Sequence, residues 1–174
     1  MQNRLSKKVV SLATRYVYAI ILLVLLFSIK TADAASLGFS DVSGNYAKGS
    51  EISLDINVLS LEQSINAISG AVNFSPDQLE IISFSKNDSI LNYWVEEPVF
   101  SNISGTIDFA GIIFNPGFVG ENGKILKVKF KVKTDEVSKL DFSNGLVLAN
   151  DGLGTSIPTT LESKLLNLVK VVTK

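Results

Sequence analysis

Glu96 and Glu97 stand side by side and form the most enzyme-like pair in the chain. Glycoside hydrolysis needs two carboxylates facing each other across one bond. Neighbours on a strand point to opposite faces, so these two cannot flank a common substrate. Followed at once by Pro98, they read as charge on an edge strand. Asn150-Asp151-Gly152, with Asp141 or Asp88 in support, offers oxygens to a calcium ion. The spacing is not that of an EF-hand loop, and Asn-Asp-Gly is equally a plain turn. Lys127, Lys129, Lys131 and Lys133 make a basic stripe. It is either a track for an anionic polymer or a solvated face that resists edge pairing. Cysteine and histidine are both absent. Their absence excludes disulfides, thiolate metal sites, a cysteine nucleophile and a histidine-based triad, and removes the usual general base at neutral pH. The residues argue against an enzyme, and no cofactor or metal ligand set is expected.

The elements that carry these residues read as strands. From Ala67 to Phe84, Ile68, Gly70, Val72 and Phe74 alternate with Ser69, Ala71 and Asn73, the pattern of a strand with one buried face. Ser75-Pro76-Asp77 breaks it, because Pro76 cannot donate to a ladder and Asp77 favours a turn. A second strand follows with Leu79, Ile81 and Phe84 on its apolar face. Such a corner takes a chain from one sheet of a sandwich to the other. Upstream, Leu37–Val42 reads as a first strand. Over Glu51–Leu59, Ile52, Leu54, Ile56 and Val58 point inward, and Glu62–Asn66 reads as a polar loop. Downstream, Leu91, Tyr93 and Val95 alternate with Asn92, Trp94 and Glu96. Ile107, Phe109, Gly111 and Ile113 share a face. Leu126, Val128, Phe130 and Val132 oppose the lysine stripe. Leu140 and Phe142 begin a strand that Leu146 and Leu148 continue in the same phase, with Asn144-Gly145 as a hairpin turn or a bulge. Gly154–Thr160 is the last strand of this series. Residues 161–174 carry Leu165, Leu166, Leu168, Val169 and Val172 on one possible helical face, while their β-branched end favours a last strand or the start of a linker. The whole predicts an all-β, jelly-roll-like antiparallel sandwich of about nine short strands over residues 35–160.

Residues 1–34 read as a targeting segment. Arg4, Lys7, Lys8 and Arg15 precede an apolar run from Val17 to Ile29, which is short for a membrane span, and Ala32-Asp33-Ala34 fits a small-x-small cleavage site. Cleavage before Ala35 is expected; the alternative is a retained anchor followed by Lys30. Removal of this segment takes away five basic residues and Asp33, leaving 11 basic and 16 acidic residues of the chain's 16 and 17, a net of −5. An acidic exported domain suits the bacterial cell surface or medium and is a poor match for nucleic acid.

Between Gly49 and Thr160 the order of motifs resembles the cohesin domain, the jelly-roll module that binds dockerins. Gly49-Ser50-Glu51 is similar to the family's opening. Gly70 to Leu79, with Phe74 and Pro76, is similar to its G-x-x-x-F/Y-x-P-x-x-L corner. Gly123 to Val132 is similar to its G-x-[IL]-x-x-[IV]-x-F strand, and Ala149-Asn150-Asp151-Gly152 to its late turn. The resemblance implies a non-catalytic module that engages a dockerin-like protein in cell-surface assembly. The rival within the same fold is a carbohydrate-binding module acting on polysaccharide, which would stack sugars on coplanar aromatics.

The resemblance also places three strands side by side on a binding face. With Val72 and Phe74, Leu91 and Tyr93, and Ile107 and Phe109 inward, period two puts Asn73, Asn92, Trp94, Asp108 and Ile112 outside as one partner-binding patch. Trp94 would be its chief anchor. The other reading buries Trp94 at the end of its strand.

Overall fold

The structure, a computed structural model, describes residues 34–169. The targeting segment expected over 1–34 lies outside the described residues, Ala34 excepted.

One long strand organises the fold. β3 (Glu51–Asn73) runs for 23 residues. Residues 51–60 pair with β1 (Ala35–Phe39) on one side and β7 (Phe118–Val132) on the other. Residues 65–73 pair instead with β6 (Thr106–Ile112) and β8 (Ser138–Ala149). The polar loop expected over Glu62–Asn66 is therefore strand, and it is where β3 crosses between the two layers. Leu61 and Glu62 are exposed there, which gives the stretch its loop-like composition. Backbone pairing persists because Ile65 is fully buried and aligned with both Phe118 and Ala149. The buried Ser60 hydroxyl is satisfied by donating to the Gln63 carbonyl at 2.7 Å.

Each half of β3 builds one layer. β4 (Leu79–Ser85) pairs with β7, and β10 (Thr159–Leu161) with β1. One layer is thus β4-β7-β3-β1-β10. β5 (Tyr93–Ser101) pairs with β6. The other layer is β8-β3-β6-β5, with β9 (Ser156–Ile157) and β11 (Ser163–Leu166) on the far edge of β8. β2 (Tyr46–Ala47) and β12 (Leu168–Val169) form a separate parallel ribbon. The stretch beyond residue 160 is strand over 163–166 and 168–169, and it buries Leu166 and Leu168.

Alternation explains the core between the layers. Ile52, Leu54, Ile56 and Val58 of β3 meet Leu126, Val128, Phe130 and Val132 of β7, all at most 2% exposed. Each such side chain contributes about 1.5–3 kcal/mol by leaving water. Gly70, on the inward face, leaves the space that the Phe109 ring occupies; a Cβ there would lie 2.7 Å from that ring. The lysines opposite this core are a solvated charge ladder. Lys129 meets Glu51 at 2.8 Å, Lys127 meets Asp55 at 3.7 Å, and the Lys133 ammonium donates to the Pro76 carbonyl at 2.5 Å.

The Ser75-Pro76-Asp77 corner carries the chain from β3 in one layer to β4 in the other, as expected. Phe74 is buried and sits edge-on to Phe130, ring centroids 5.4 Å apart. Its N–H donates to the Gly105 carbonyl at 2.8 Å. Gly105 has φ of +70°, and a Cβ there would fall 2.1 Å from the Phe74 carbonyl oxygen, so only glycine fits.

Candidate docking face

The outer surface of the β8-β3-β6-β5 layer is uncovered among the described residues. Its composition follows from the register. Side chains paired across an antiparallel ladder share a face, so the outward residues fall into rows. Leu148, Ala67, Ile112 and Tyr93 form the first row. Leu146, Ser69, Ala110 and Glu96 form the second. Asn144, Ala71, Asp108 and Val99 form the third, and Asp141, Asn73, Thr106 and Ser101 the fourth. The first two rows are largely apolar and the last two largely polar.

A shallow depression of about 120 Å³ lies at the apolar end. Ala67, Ser69 and Ala110 are small enough to form its floor, Leu146 and Leu148 flank it on one side, and Ile112 and Val95 on the other. Leu146 is 41% exposed, Val95 61% and Tyr93 58%. Leu146 and Val95 thus give the hollow an exposed aliphatic rim, with Tyr93 exposed in the adjoining row.

Three of the five residues expected on this patch are brought together. Asn73, Asp108 and Ile112 all point outward from the adjoining β3 and β6. Trp94 does not join them: it turns inward rather than outward as alternation from Leu91 predicts. Trp94 is paired with Gly111, which faces the core, and it packs against the core cluster. The Lys86 ammonium stands 5.6 Å from its ring centre and bonds Glu97 at 2.6 Å. Tyr93, expected inward, is paired with Ile112 and faces out. The physical reason is that Leu91, although buried, precedes β5 and does not share its phase: from Tyr93 onward the ladder sets the faces. Asn92 is exposed at the margin. Its carboxamide oxygen accepts the Phe114 N–H at 2.7 Å, which ties it to the end of β6 rather than to the rows.

Two bulges supply residues that alternation misses. A register shift between Trp94 and Glu96 leaves Val95 unpaired and exposed beside the depression. A shift between Phe142 and Asn144 leaves Ser143 unpaired in β8. Leu140 and Phe142 are buried, but beyond the bulge the buried pair is Val147 and Ala149. Leu146 and Leu148, expected in the same inward phase as Phe142, are therefore outward and belong to the face. Asn144-Gly145 marked the place in the sequence, and its bulge alternative carries this consequence.

The chemistry-bearing residues elsewhere are occupied structurally. Glu96 faces out beside Ala110, while Glu97 is engaged by Lys86. Asp151 accepts the Leu153 N–H at 2.8 Å. Hydrogen bonds from the Thr155 side chain and then from the backbone hold its carboxyl below the ordinary range. Its geometry is that of a turn cap. A larger cleft of about 470 Å³ on the other layer is lined by Ser36, Asp41, Asn57, Glu121 and Glu162 among others. There Glu162 accepts the Ser36 hydroxyl at 2.6 Å and Asp41 pairs with Lys164 at 2.6 Å. No cluster of three or more potential metal ligands occurs among the described residues.

The Cohesin domain family model matches residues 36–164. The fold is similar to a chain of the OlpC type I cohesin–dockerin complex of Clostridium thermocellum, with a TM-score of 0.64 at 14% identity over 83% of this chain and 99% of that one. It is similar to the cohesin module of a Clostridium perfringens family 33 glycoside hydrolase, with a TM-score of 0.60 at 14% identity over 82% and 100%. A non-cellulosomal cohesin of the archaeon Archaeoglobus fulgidus gives a TM-score of 0.61 at 17% identity over 80% and 93%. No curated protein matches the chain in sequence.

Proposed function

The chain belongs to the cohesin-domain family, and from that membership we propose that it is a non-catalytic docking module. Its β8-β3-β6-β5 face receives a dockerin-like protein in an assembly at the bacterial cell surface. The observation that carries this reading is the open depression on that face, small-floored and rimmed by exposed Val95 and Leu146 and half-buried Ile112. A protein interface concentrates its energy in a few such apolar anchors seated in a hollow. Cohesin–dockerin complexes among the similar structures support a protein partner of that class. The missing cysteine and histidine, and the separation of Glu96 from Glu97, support a role without catalysis. The basic n-region, the apolar run and Ala32-Asp33-Ala34 support export.

Binding to a panel of dockerin modules, measured by calorimetry, tests the proposal. At least one module should bind. Ile112→Ala should cost about 2 kcal/mol of that binding, and the unfolding midpoint should stay near the parent's. Failure of every dockerin, together with retention on an insoluble polysaccharide, would replace this reading with the carbohydrate-binding one. For the latter, Tyr93 and Phe114 are the most exposed aromatics among the described residues, while Trp94 packs against the core.

A further inference from the structure

We propose that the cleft where β6 passes to β7 is a binding site for a neutral sugar, with Phe114 as the surface on which the sugar ring lies and Asn92 and Asn115 as its hydrogen-bonding partners. The site begins beyond the last paired residue of β6, outside the rows of the docking face, and it stands with or without a protein on that face.

Shape and rigidity argue for a site. The cleft has a volume of about 350 Å³. Ile90, Ile113, Phe114 and Phe118 give it apolar surface, and Asn92 and Asn115 give it polar groups. Small-molecule sites combine aromatic and aliphatic surface with a few fixed polar groups in this way. The loop that carries Phe114 is fastened from several sides. The Phe114 N–H donates to the Asn92 carboxamide oxygen at 2.7 Å, and the Phe114 carbonyl accepts the Gly117 N–H at 2.8 Å. The Pro116 carbonyl accepts from the Ser64 hydroxyl and from the Asn150 carboxamide, both at 2.8 Å. Gly117 has φ of +83°, and a Cβ there would lie 2.5 Å from the Ser64 hydroxyl oxygen, so the loop sits this close only with glycine. The Phe114 ring is nevertheless 58% exposed. A loop held this firmly around a phenyl ring left in water presents a preorganised surface to a ligand.

The lining selects the class of ligand. No charged residue lines the cleft, although the chain is 19% charged. An ionic ligand would lose water there without gaining a counter-charge. A wholly apolar one would leave the carboxamides unmatched. Asn92 spends its oxygen on the Phe114 N–H, which fixes the plane of its amide and leaves its NH₂ to donate. Asn115 is exposed and offers both a donor and an acceptor. Such a mixture suits hydroxyl groups, each of which donates and accepts. The face of a phenyl ring is negative and attracts the weakly positive C–H groups on the apolar side of a sugar ring. A neutral pyranose has both features, an apolar face for Phe114 and a rim of hydroxyls for the two asparagines.

Titration of the isotopically labelled chain, followed by amide NMR, tests this directly. Cellotetraose, mannotetraose and galactobiose are added singly, with trigalacturonic acid as the charged control. At least one neutral oligosaccharide should move the side-chain amide signals of Asn92 and Asn115 in a saturable way, together with the backbone signals of residues 113–118, and the control should not. Phe114→Leu keeps an apolar side chain but removes the ring, and it should weaken this binding by roughly tenfold. Equal unfolding midpoints by Trp94 fluorescence establish that the variant is folded; should they differ, Asn115→Ala takes its place and should weaken binding likewise. No saturable shift with any of the three neutral sugars, equal binding of the acidic control, or undiminished binding by the folded variant would overturn the proposal. Binding lost in Tyr93→Ala but kept in Phe114→Leu would put the sugar on the docking face and overturn it as well. The dockerin panel, run by calorimetry on the same material, keeps the two readings apart. Sugar binding without dockerin binding would leave the cleft standing and remove the docking reading, and dockerin binding without sugar binding would do the reverse.

Discussion

Trp94 and Tyr93 are neighbours with opposite duties. Trp94 lies against the core with Lys86 above its ring, and Lys86 in turn holds Glu97. A partly buried indole with one cation over its face should contribute less than a fully buried one, for which removal costs about 3–5 kcal/mol. Trp94→Ala is accordingly expected to lower stability by about 2 kcal/mol, read from urea denaturation followed by circular dichroism because the only tryptophan is lost. Tyr93→Ala should leave the urea midpoint nearly unchanged and weaken partner binding. The reverse pattern would mean that the phase of β5 is the one expected from Leu91. Three exposed carboxylates invite a pH experiment. Lys164 holds Asp41 below the ordinary range, chiefly by hydrogen bonding; Lys124 does the same for Asp88, and Thr155 for Asp151. A carboxyl with a depressed folded pKa stabilises the fold above its unfolded value, and that contribution disappears as pH falls through the folded one. Stability should therefore be flat above about pH 5 and decline below about pH 4. The three Asp→Asn substitutions combined should shrink the acid decline in thermal melts; an unchanged slope would assign it to other carboxylates.

At the scale of the strand, the bulge at Ser143 decides what the docking face is made of. Without it, Leu146 and Leu148 would point into the sandwich and Val147 and Ala149 to solvent, because a one-residue slip exchanges the faces of everything beyond it. Deletion of Ser143 is expected to destabilise the domain by roughly 3 kcal/mol or more, since β8 must either reverse its buried set or lose its pairing with β3. Comparison of chemical denaturation curves for the deletion and for Ser143→Ala separates the register effect from loss of the weak hydroxyl contact with the Ala71 carbonyl. If both variants unfold at the parent's midpoint, the strand tolerates the slip and the bulge has no such role. β5 shows the same device at the opposite rim, where the shift at Val95 turns an aliphatic side chain toward the depression.

For the whole molecule, β3 joins the two layers covalently, and the Ser75-Pro76-Asp77 corner returns the chain to the first of them. The docking layer therefore rests on the same core as the charged layer behind it. The described domain begins with β1 at Ala35, whose N–H donates to the Pro158 carbonyl at 3.0 Å. We expect the exported form to start at this residue, after Ala32-Asp33-Ala34. N-terminal sequencing of material from the medium or cell wall is the measurement, and an intact Met1 on membrane-bound protein would indicate a retained anchor.

The sequence alone determined the all-β class, the inward phases of the first half of β3, of β6 and of the lysine-striped β7, and the corner at Pro76. It could do so because period two is a local property of the backbone and holds wherever pairing is regular. The outward placement of Asn73, Asp108 and Ile112 came from the same rule. What local alternation could not decide was the phase on either side of an irregularity. Trp94 faces inward although alternation from Leu91 predicts the opposite, because Leu91 lies outside β5, and Leu146 and Leu148 face outward because Ser143 drops out of register, which nothing local signals. The continuity of β3 through Glu62–Asn66 escaped for a related reason: a polar stretch at a crossing looks like a loop until its partners are known. Those partners, Phe118 and Ala149 for Ile65 and Gly111 for Trp94, lie more than 15 residues away in the chain. Only the tertiary structure brings them together, so only it decides which apolar side chains fill the core and which are left for a partner.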